Sequence, residues 1–133
     1  MKKGIRIFAA IAVVFVLASC KKYSSGNMIY PAAERKIRFE LYTNQDFSGD
    51  ASVINFSIFI RNSNRTLFDS TLASMRIQDI PDALHKIVIE KTVNDNYDLA
   101  AGFRYEIHDV GTSAFIDTSK AGNPFKIIDY SFQ

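Results

Sequence analysis

The sequence predicts an all-β fold, an antiparallel sandwich of two sheets built from seven or eight short strands. Two observations support this prediction. Short segments alternate apolar and polar residues, and clusters of Asn, Asp, Ser, Gly or Pro separate them. After residue 20, no window longer than about ten residues keeps the period of 3.6 that an α-helix needs. A small closed barrel is the alternative arrangement of the same strands.

Composition limits the classes of function. The 133 residues suffice for one ordinary domain, and the 47% hydrophobic and 23% charged fractions are near the globular average, which excludes general disorder. A net charge of +2 carries no signature of nucleic-acid binding. The single Cys excludes an intrachain disulfide and a Cys-rich zinc site.

The start of the chain has the pattern of an export signal. Lys2, Lys3 and Arg6 form a basic segment, and the apolar run that follows is shorter than the roughly 20 residues of a membrane span. The next residues, Leu17-Ala-Ser-Cys20, resemble the lipobox of bacterial lipoproteins. The resemblance implies that residues 1–19 are a lipoprotein signal peptide and that Cys20 becomes the acylated N-terminus.

Residues 20–34 are predicted to be the acylated Cys and a flexible tether, and residues 35–133 the sandwich domain. A lipid on Cys20 places the protein in the cell envelope with a membrane as its partner. Lys21 stands where inner-membrane lipoproteins of enteric bacteria carry Asp, so the outer membrane is favoured, on its periplasmic or its surface face. Three of the 16 basic residues leave with the signal, so the mature net charge against 14 acids is −1.

The first half of the domain contains four predicted strands. In the strand that begins at Lys36 alternate residues are apolar, and in the strand 52–60 the even-numbered residues from Ile54 onward form an apolar face. Two shorter strands, 66–68 and 72–77, precede a break at Pro81, which forbids a continuing helix.

The second half of the domain contains four further predicted strands. Turn residues at 94–96 and at 121–124 divide it, because Asn, Asp, Gly and Pro favour turns. The strands predicted here are 85–93, 99–110, 112–118 and 125–132.

Two local patterns resemble known sandwich families. The alternating residues from Leu99 to Ile107 include Tyr105, and this resembles the tyrosine corner of fibronectin-III-like and immunoglobulin-like domains, where a Tyr bonds to the preceding loop. Residues 77–89, with Ile80-Pro81 between two strands, resemble a unit of transthyretin-like domains. Both resemblances imply a fold and no activity.

The predicted mature domain also resembles small lipoproteins of the Bacteroidota, a group without an assigned activity. The resemblance supports localisation and implies no site. The stretches that carry it are Phe59-Ile-Arg-Asn62, Thr66-Leu-Phe-Asp-Ser-Thr-Leu72, Asp79-Ile-Pro-Asp82, Lys86-Ile-Val-Ile-Glu-Lys91 and Ile128-Asp-Tyr-Ser-Phe132.

His85 and His108 are the only histidines, with Asp82 and Asp109 near them in sequence. The chain has no His-Glu-x-x-His and no Gly-x-Ser-x-Gly motif, so ordinary strand histidines are the favoured interpretation. The expected protein is therefore not an enzyme and has no cofactor. The alternative is a small envelope enzyme, or an enzyme accessory, that uses one of these histidines with a carboxylate.

Two further candidate sites involve oxygen atoms. Asn94, Asn96 and Asp98 alternate in one loop and are weak candidates for Ca²⁺, which binds six to eight oxygens, although these residue types also form ordinary turns. Asp69-Ser70-Thr71 resembles the O-glycosylation acceptor sequence of exported Bacteroidota proteins, which makes Ser70 a glycosylation candidate.

Three aromatic residues, Tyr42, Phe59 and Tyr130, are predicted to point away from the principal core faces, where aromatics bind sugars or proteins. Together these observations favour a lipid-anchored lipoprotein that acts as a non-catalytic binding or structural module. Its expected contacts are a membrane, through the lipid, and a protein or a glycan, with no nucleic acid.

Overall fold

Eight strands follow one another along residues 31–133, the part of the chain that the computed structural model describes. A 3₁₀ turn, Ile77–Asp79, is the single helical element of these residues. The strands are β1 (Glu34–Thr43), β2 (Val53–Arg61), β3 (Thr66–Thr71), β4 (Met75–Arg76), β5 (Ile87–Asn94), β6 (Leu99–Ile107), β7 (Gly111–Ser119) and β8 (Phe125–Phe132).

The strands form two packed sheets, which confirms the predicted all-β sandwich of two sheets. One sheet has the order β5–β1–β8, and the other has the order β3–β2–β6–β7, with the short β4 also paired to β2. The small-barrel alternative is wrong, because within residues 31–133 no ladder of paired strands joins the two sheets. All strand pairs are antiparallel except β1 and β8, which run parallel because the chain between them passes through the opposite sheet rather than through a hairpin.

The strand order differs from that of an immunoglobulin domain. There the first two strands belong to one sheet, whereas β1 and β2 lie in opposite sheets. Tyr105 does not form the expected tyrosine corner: within the described residues no hydrogen bond joins its hydroxyl to the loop before β6, and its ring lies 5.7 Å from that of Phe56. The transthyretin-like alternative stays a prediction.

The core lies between the sheets and follows the alternation that the sequence shows. Each strand directs every second side chain inward, so β-branched and aromatic residues at those positions meet in one cluster. The Phe103 ring stands edge-on to Phe39 at 5.6 Å, a favourable aromatic geometry. The most deeply buried members are Ile37, Phe39, Leu41, Ile54, Phe56, Ile58, Ile60, Leu99, Ala101, Phe103 and Ile128.

Arg35 is the largest side chain in the buried set, at 1% exposure. It precedes Ile37 by two positions in β1 and therefore points to the same, inward side. Its guanidinium donates to the carbonyl oxygens of Tyr97, Ser119, Lys120 and Asn123, at 2.5 to 3.0 Å, and to the Ser119 hydroxyl at 2.7 Å. One cation thus holds three segments of the chain together.

Charged side chains also point inward at three outer strands of the sheets. Lys91 on β5 and Lys126 on β8 both pair with Ile37 of β1, so all three face the interior. The Lys91 ammonium lies 4.8 Å from the Phe68 ring centroid, and Lys126 forms a 2.6 Å ion pair with Asp117 of β7. Inward charges of this kind hinder the addition of another strand to a sheet edge.

The two ends of the sandwich differ in what they hold. At the proximal end, defined as the end where β1 begins, the Ala33 amide donates to Asn96 and the Lys36 amide to Pro124. This end comprises residues 31–36, 61–65, 94–98 and 119–124. The opposite, distal end comprises residues 43–52, 76–86 and 108–110, joined by bonds such as Thr43 to Pro81.

Replacing Arg35 by Met is expected to lower the free energy of unfolding by about 3 kcal/mol or more, because the buried Ser119 carbonyl and hydroxyl and three part-buried carbonyl oxygens lose a charged donor. Urea denaturation of the chain measures this. Arg76→Met, at an exposed arginine of β4, is the matched control and should change little. Equal stability of the two variants would contradict the role given to Arg35.

Candidate functional site

A groove of about 640 Å³ crosses the outer face of the five-stranded sheet. We call it the sheet groove. Four strands supply it, and most of its side chains carry a hydroxyl, an amide or a charge. Its lining includes Asn55, Ser57, Thr71, Arg104, Glu106, Thr112, Ser113 and Ala114.

The strand register arranges these residues in rows. One row runs from Asn55 through Glu106 to Thr112, because β2 pairs with β6 and β6 with β7 at these positions. Side chains opposite each other on one face of an antiparallel sheet lie about 5 Å apart, so the row presents an amide, a carboxylate and a hydroxyl side by side. The Asn55 amide is held by the Ser74 hydroxyl, which donates to its oxygen.

The next row contains the small residues that give the groove its depth. It runs from Thr71 through Ser57 and Arg104 to Ala114. The Ser57 and Thr71 hydroxyls lie 3.2 Å apart, and Arg104 forms an ion pair with Asp69 at 2.5 Å. The guanidinium is thereby fixed at the side of the groove.

Phe59 lies on the outer face of the sheet beside the groove, so it points away from the principal core face as predicted. The exposure that this prediction implies is wrong, because the side chain is only 5% exposed. It pairs with Gly102, which has no side chain to occupy the outer surface, and the guanidinium carbons of Arg61 and Arg104 lie 5.6 and 5.4 Å from its ring centroid. A Cβ on Gly102 would lie 1.9 Å from the Phe115 carbonyl oxygen, so this position requires glycine.

Tyr130 is the second aromatic prediction that is wrong. It pairs with Leu41, faces the interior and stacks on Phe115, with ring centroids 4.9 Å apart. Burial and the adjacent Tyr105 hydroxyl raise the pKa of Tyr130 above its usual range. Tyr42 does lie on the outer face of the three-stranded sheet, half-buried, with the Lys86 ammonium 4.3 Å from its ring centroid.

Lys86 organises that outer face. Its ammonium donates to Glu40 and to Asp129, both at 2.9 Å, and these carboxylates raise its pKa. Glu40 lies on β1 and Asp129 on β8, so Lys86 links two neighbouring strands of the sheet. The charged groups on the outer face of the three-stranded sheet thus bind one another, whereas the sheet groove is open.

The histidines lie at the distal end, outside the strands. His85 Nδ1 lies 2.8 Å from Asp82, and His108 lies 3.3 Å from Asp109, with both imidazoles more than three-quarters exposed. The hydrogen bond from His85 lowers the pKa of Asp82. Within residues 31–133, no hydrogen bond joins either histidine to a hydroxyl group that could act as a nucleophile.

A second groove, of about 530 Å³, lies next to His85, between the loop 44–48 and the segment 77–84. Asp82 lines it, and the Leu84 side chain at its rim is 88% exposed. The hydroxyl of Thr43 in its floor donates to the Phe132 carbonyl oxygen, which ties the loop to β8.

The three calcium candidates are occupied by bonds within the protein or lie apart. The Asn96 side-chain oxygen accepts from the Ala33 amide, and Asp98 accepts from Lys120 and from the Ala121 amide. Asn94 ends β5 with an exposed side chain. Within the described part of the chain, no group of three or more His, Cys, Asp or Glu side chains is arranged to hold a metal ion.

The remaining sequence candidates are placed as follows. Ser70 lies in β3 opposite Ile58, on the half-buried inward side, whereas Thr71 beside it is exposed. Cys20, the signal 1–19 and the tether up to residue 30 lie outside the described residues. Among residues 31–133, no helix is long and apolar enough to span a membrane.

Sequence reasoning placed Asn55 and Ser57 on the polar face of their strand but did not select the groove. Its rows become visible only when the register of four strands is known. Comparison with protein-family models, with curated proteins and with solved structures finds no match for this chain.

The raised pKa of the Tyr130 hydroxyl can be detected by spectroscopy. Because its pKa is raised, the unfolded state loses this proton first, so stability should fall as the pH rises above the ordinary tyrosine value of about 10. An alkaline titration followed by tyrosinate absorbance should show one late phase that Tyr130→Phe removes. Tyr97→Phe, at an exposed tyrosine, is the control. A late phase that survives in Tyr130→Phe would contradict this assignment.

Proposed function

We propose that this protein is a lipid-anchored lipoprotein of the bacterial cell envelope whose sandwich domain binds glycan, without catalysis, through the sheet groove. The Leu17-Ala-Ser-Cys20 sequence and the basic and apolar segments before it support the anchor. The outer membrane is its proposed location, in keeping with Lys21 after the acylated Cys.

The polar rows of the sheet groove are the observation that carries glycan binding. Sugars present hydroxyl groups that both donate and accept hydrogen bonds, and the row of Asn55, Glu106 and Thr112 supplies donors and acceptors at neighbouring positions. Arg104 adds a donor that Asp69 holds in place. The groove is open along the sheet, which suits a segment of an extended chain rather than an enclosed small molecule.

A protein partner fits this groove less well. Protein interfaces concentrate aromatic and apolar anchors at their centre. The middle of the second row instead holds Ser57 and Arg104, with Thr71 and Ala114 at its ends, and Phe59 beside the groove is covered. The chemistry of the surface thus favours a polyhydroxylated ligand.

The anchor is tested by labelling with palmitate in a bacterial host that processes lipoproteins. The wild-type chain should incorporate label and fractionate with membranes, and Cys20→Ala should lose both properties, because no other Cys can accept a diacylglycerol. Equal labelling of the two proteins would refute the anchor.

Glycan binding is tested on an array of bacterial envelope oligosaccharides, followed by calorimetric titration of the strongest binder. The double variant Glu106→Ala, Thr112→Ala should weaken binding at least about tenfold, since two hydrogen bonds of roughly 1 kcal/mol each are removed. Thr92→Ala, at an exposed threonine of the other sheet, should bind as the wild type does. An array without binding, or equal affinity in the double variant, would overturn the assignment of the groove.

A further inference from the structure

We infer that the proximal end of the domain docks on anionic lipid headgroups of the membrane to which the chain is anchored. This inference rests on the proposed lipid anchor and adds an orientation to it. The ligand is the charged bilayer surface itself, bound by exposed cations and an aromatic side chain of the folded domain.

The tether between Cys20 and the domain joins the domain at its proximal end and limits how far that end can lie from the lipid. Ten residues lie between Cys20 and Pro31, and even a fully extended chain over these eleven steps spans less than about 40 Å. The main chain at Ala33 is bonded to Asp95 and Asn96, so the tether reaches the domain at the proximal end and at no other. The loops of this end are thus the part of the domain nearest the anchor.

Three loops form one platform here. The Asn62 amide donates to Asp95 at 2.8 Å, which joins the loop after β2 to the loop before β6. Lys120 pairs with Asp98 at 2.8 Å, which joins the second loop to the one before β8. Arg35 beneath them fixes the backbone of two of the three. A platform of this kind presents its exposed side chains in a fixed arrangement.

The exposed groups of the platform suit an anionic bilayer. Arg61 and Arg65 flank the first loop with exposed side chains, the Arg61 guanidinium also lying over the Phe59 ring at the edge of the platform. The Tyr97 side chain, 58% exposed, stands on the second loop. Basic residues within a Debye length of an anionic surface are attracted to it, and tyrosine is enriched at the headgroup level. The carboxylates of this end are Glu34, which is exposed, Asp95, which is buried, and Asp98, which is paired with Lys120.

The distal end carries the opposite charge. Its loops contain more carboxylates than cations, and an anionic surface would repel them. The cations are Arg76 and Lys86, and the carboxylates are Asp46, Asp50, Asp79, Asp82 and Asp109. The domain is therefore polarised along its length, with its positive end at the tether.

The test uses the acylated full-length protein in vesicles of phosphatidylglycerol and phosphatidylcholine in equal parts. The chain has no Trp, so Tyr97→Trp introduces a single reporter at the proximal end and Leu84→Trp a matched reporter at the distal end. Lipids brominated near the headgroup should quench the fluorescence of Tyr97→Trp and leave that of Leu84→Trp unchanged. Equal quenching of the two reporters, or none at position 97, would overturn the docking.

The charge contribution is tested with the soluble chain from Lys21 onward, since residues 31–133 contain the whole described core and form one compact unit. Replacing Arg61 and Arg65 by Gln should reduce partition to the same vesicles about thirtyfold, which corresponds to about 1 kcal/mol per cation, and added salt should do the same. Arg76→Gln is the control at the distal end and should partition as the unaltered chain does. Equal partition of the double variant would contradict the inference.

Failure of the anchor and failure of docking are distinguishable. A chain labelled at Cys20 whose Trp at position 97 is not quenched retains its anchor and lacks the docking contact. A chain without label loses the proposed anchor and the inference that rests on it.

Discussion

The sandwich depends on a single buried cation. Among residues 31–133, Arg35 has no carboxylate partner within hydrogen-bond reach, and four main-chain carbonyls and one hydroxyl satisfy it instead. A charge removed from water costs several kcal/mol when it is left without partners. The segments that supply these carbonyls must therefore be in place whenever β1 is paired between β5 and β8. This requirement couples the loops of the proximal end to the core.

Local sequence determined the strands well, because alternation along a strand depends on neighbours in the chain. The predicted last strand, 125–132, coincides with β8, and Ile37, Phe39 and Leu41 face the core as the pattern indicates. Arg35 is in phase with those three residues, yet its charge argues for the surface. Only the carbonyls that converge on it from distant segments explain its burial.

What the sequence could not predict depends on which strands meet. Phe59 has the parity of an outward residue, but the bare surface at Gly102 and two arginines bury it. Tyr130 is inward because it is in phase with Ile128 and Phe132, whereas the apolar residues Phe125 and Ile127 on the other face left the inward side of β8 undecided in the sequence. The sheet groove arises in the same way, from polar residues of separate strands that come into register.

The inward charges at Lys91, Asp117 and Lys126 bear on how this domain behaves when crowded. A protein confined to a surface meets copies of itself far more often than one in bulk solution, and unguarded strand edges would join such copies into continuous sheets. An incoming strand here would have to bury an ammonium or a carboxylate beside its own apolar residues. Three of the four outer strands, β5, β7 and β8, are guarded in this way, so contact between crowded copies is directed from those edges toward the faces and ends of the domain.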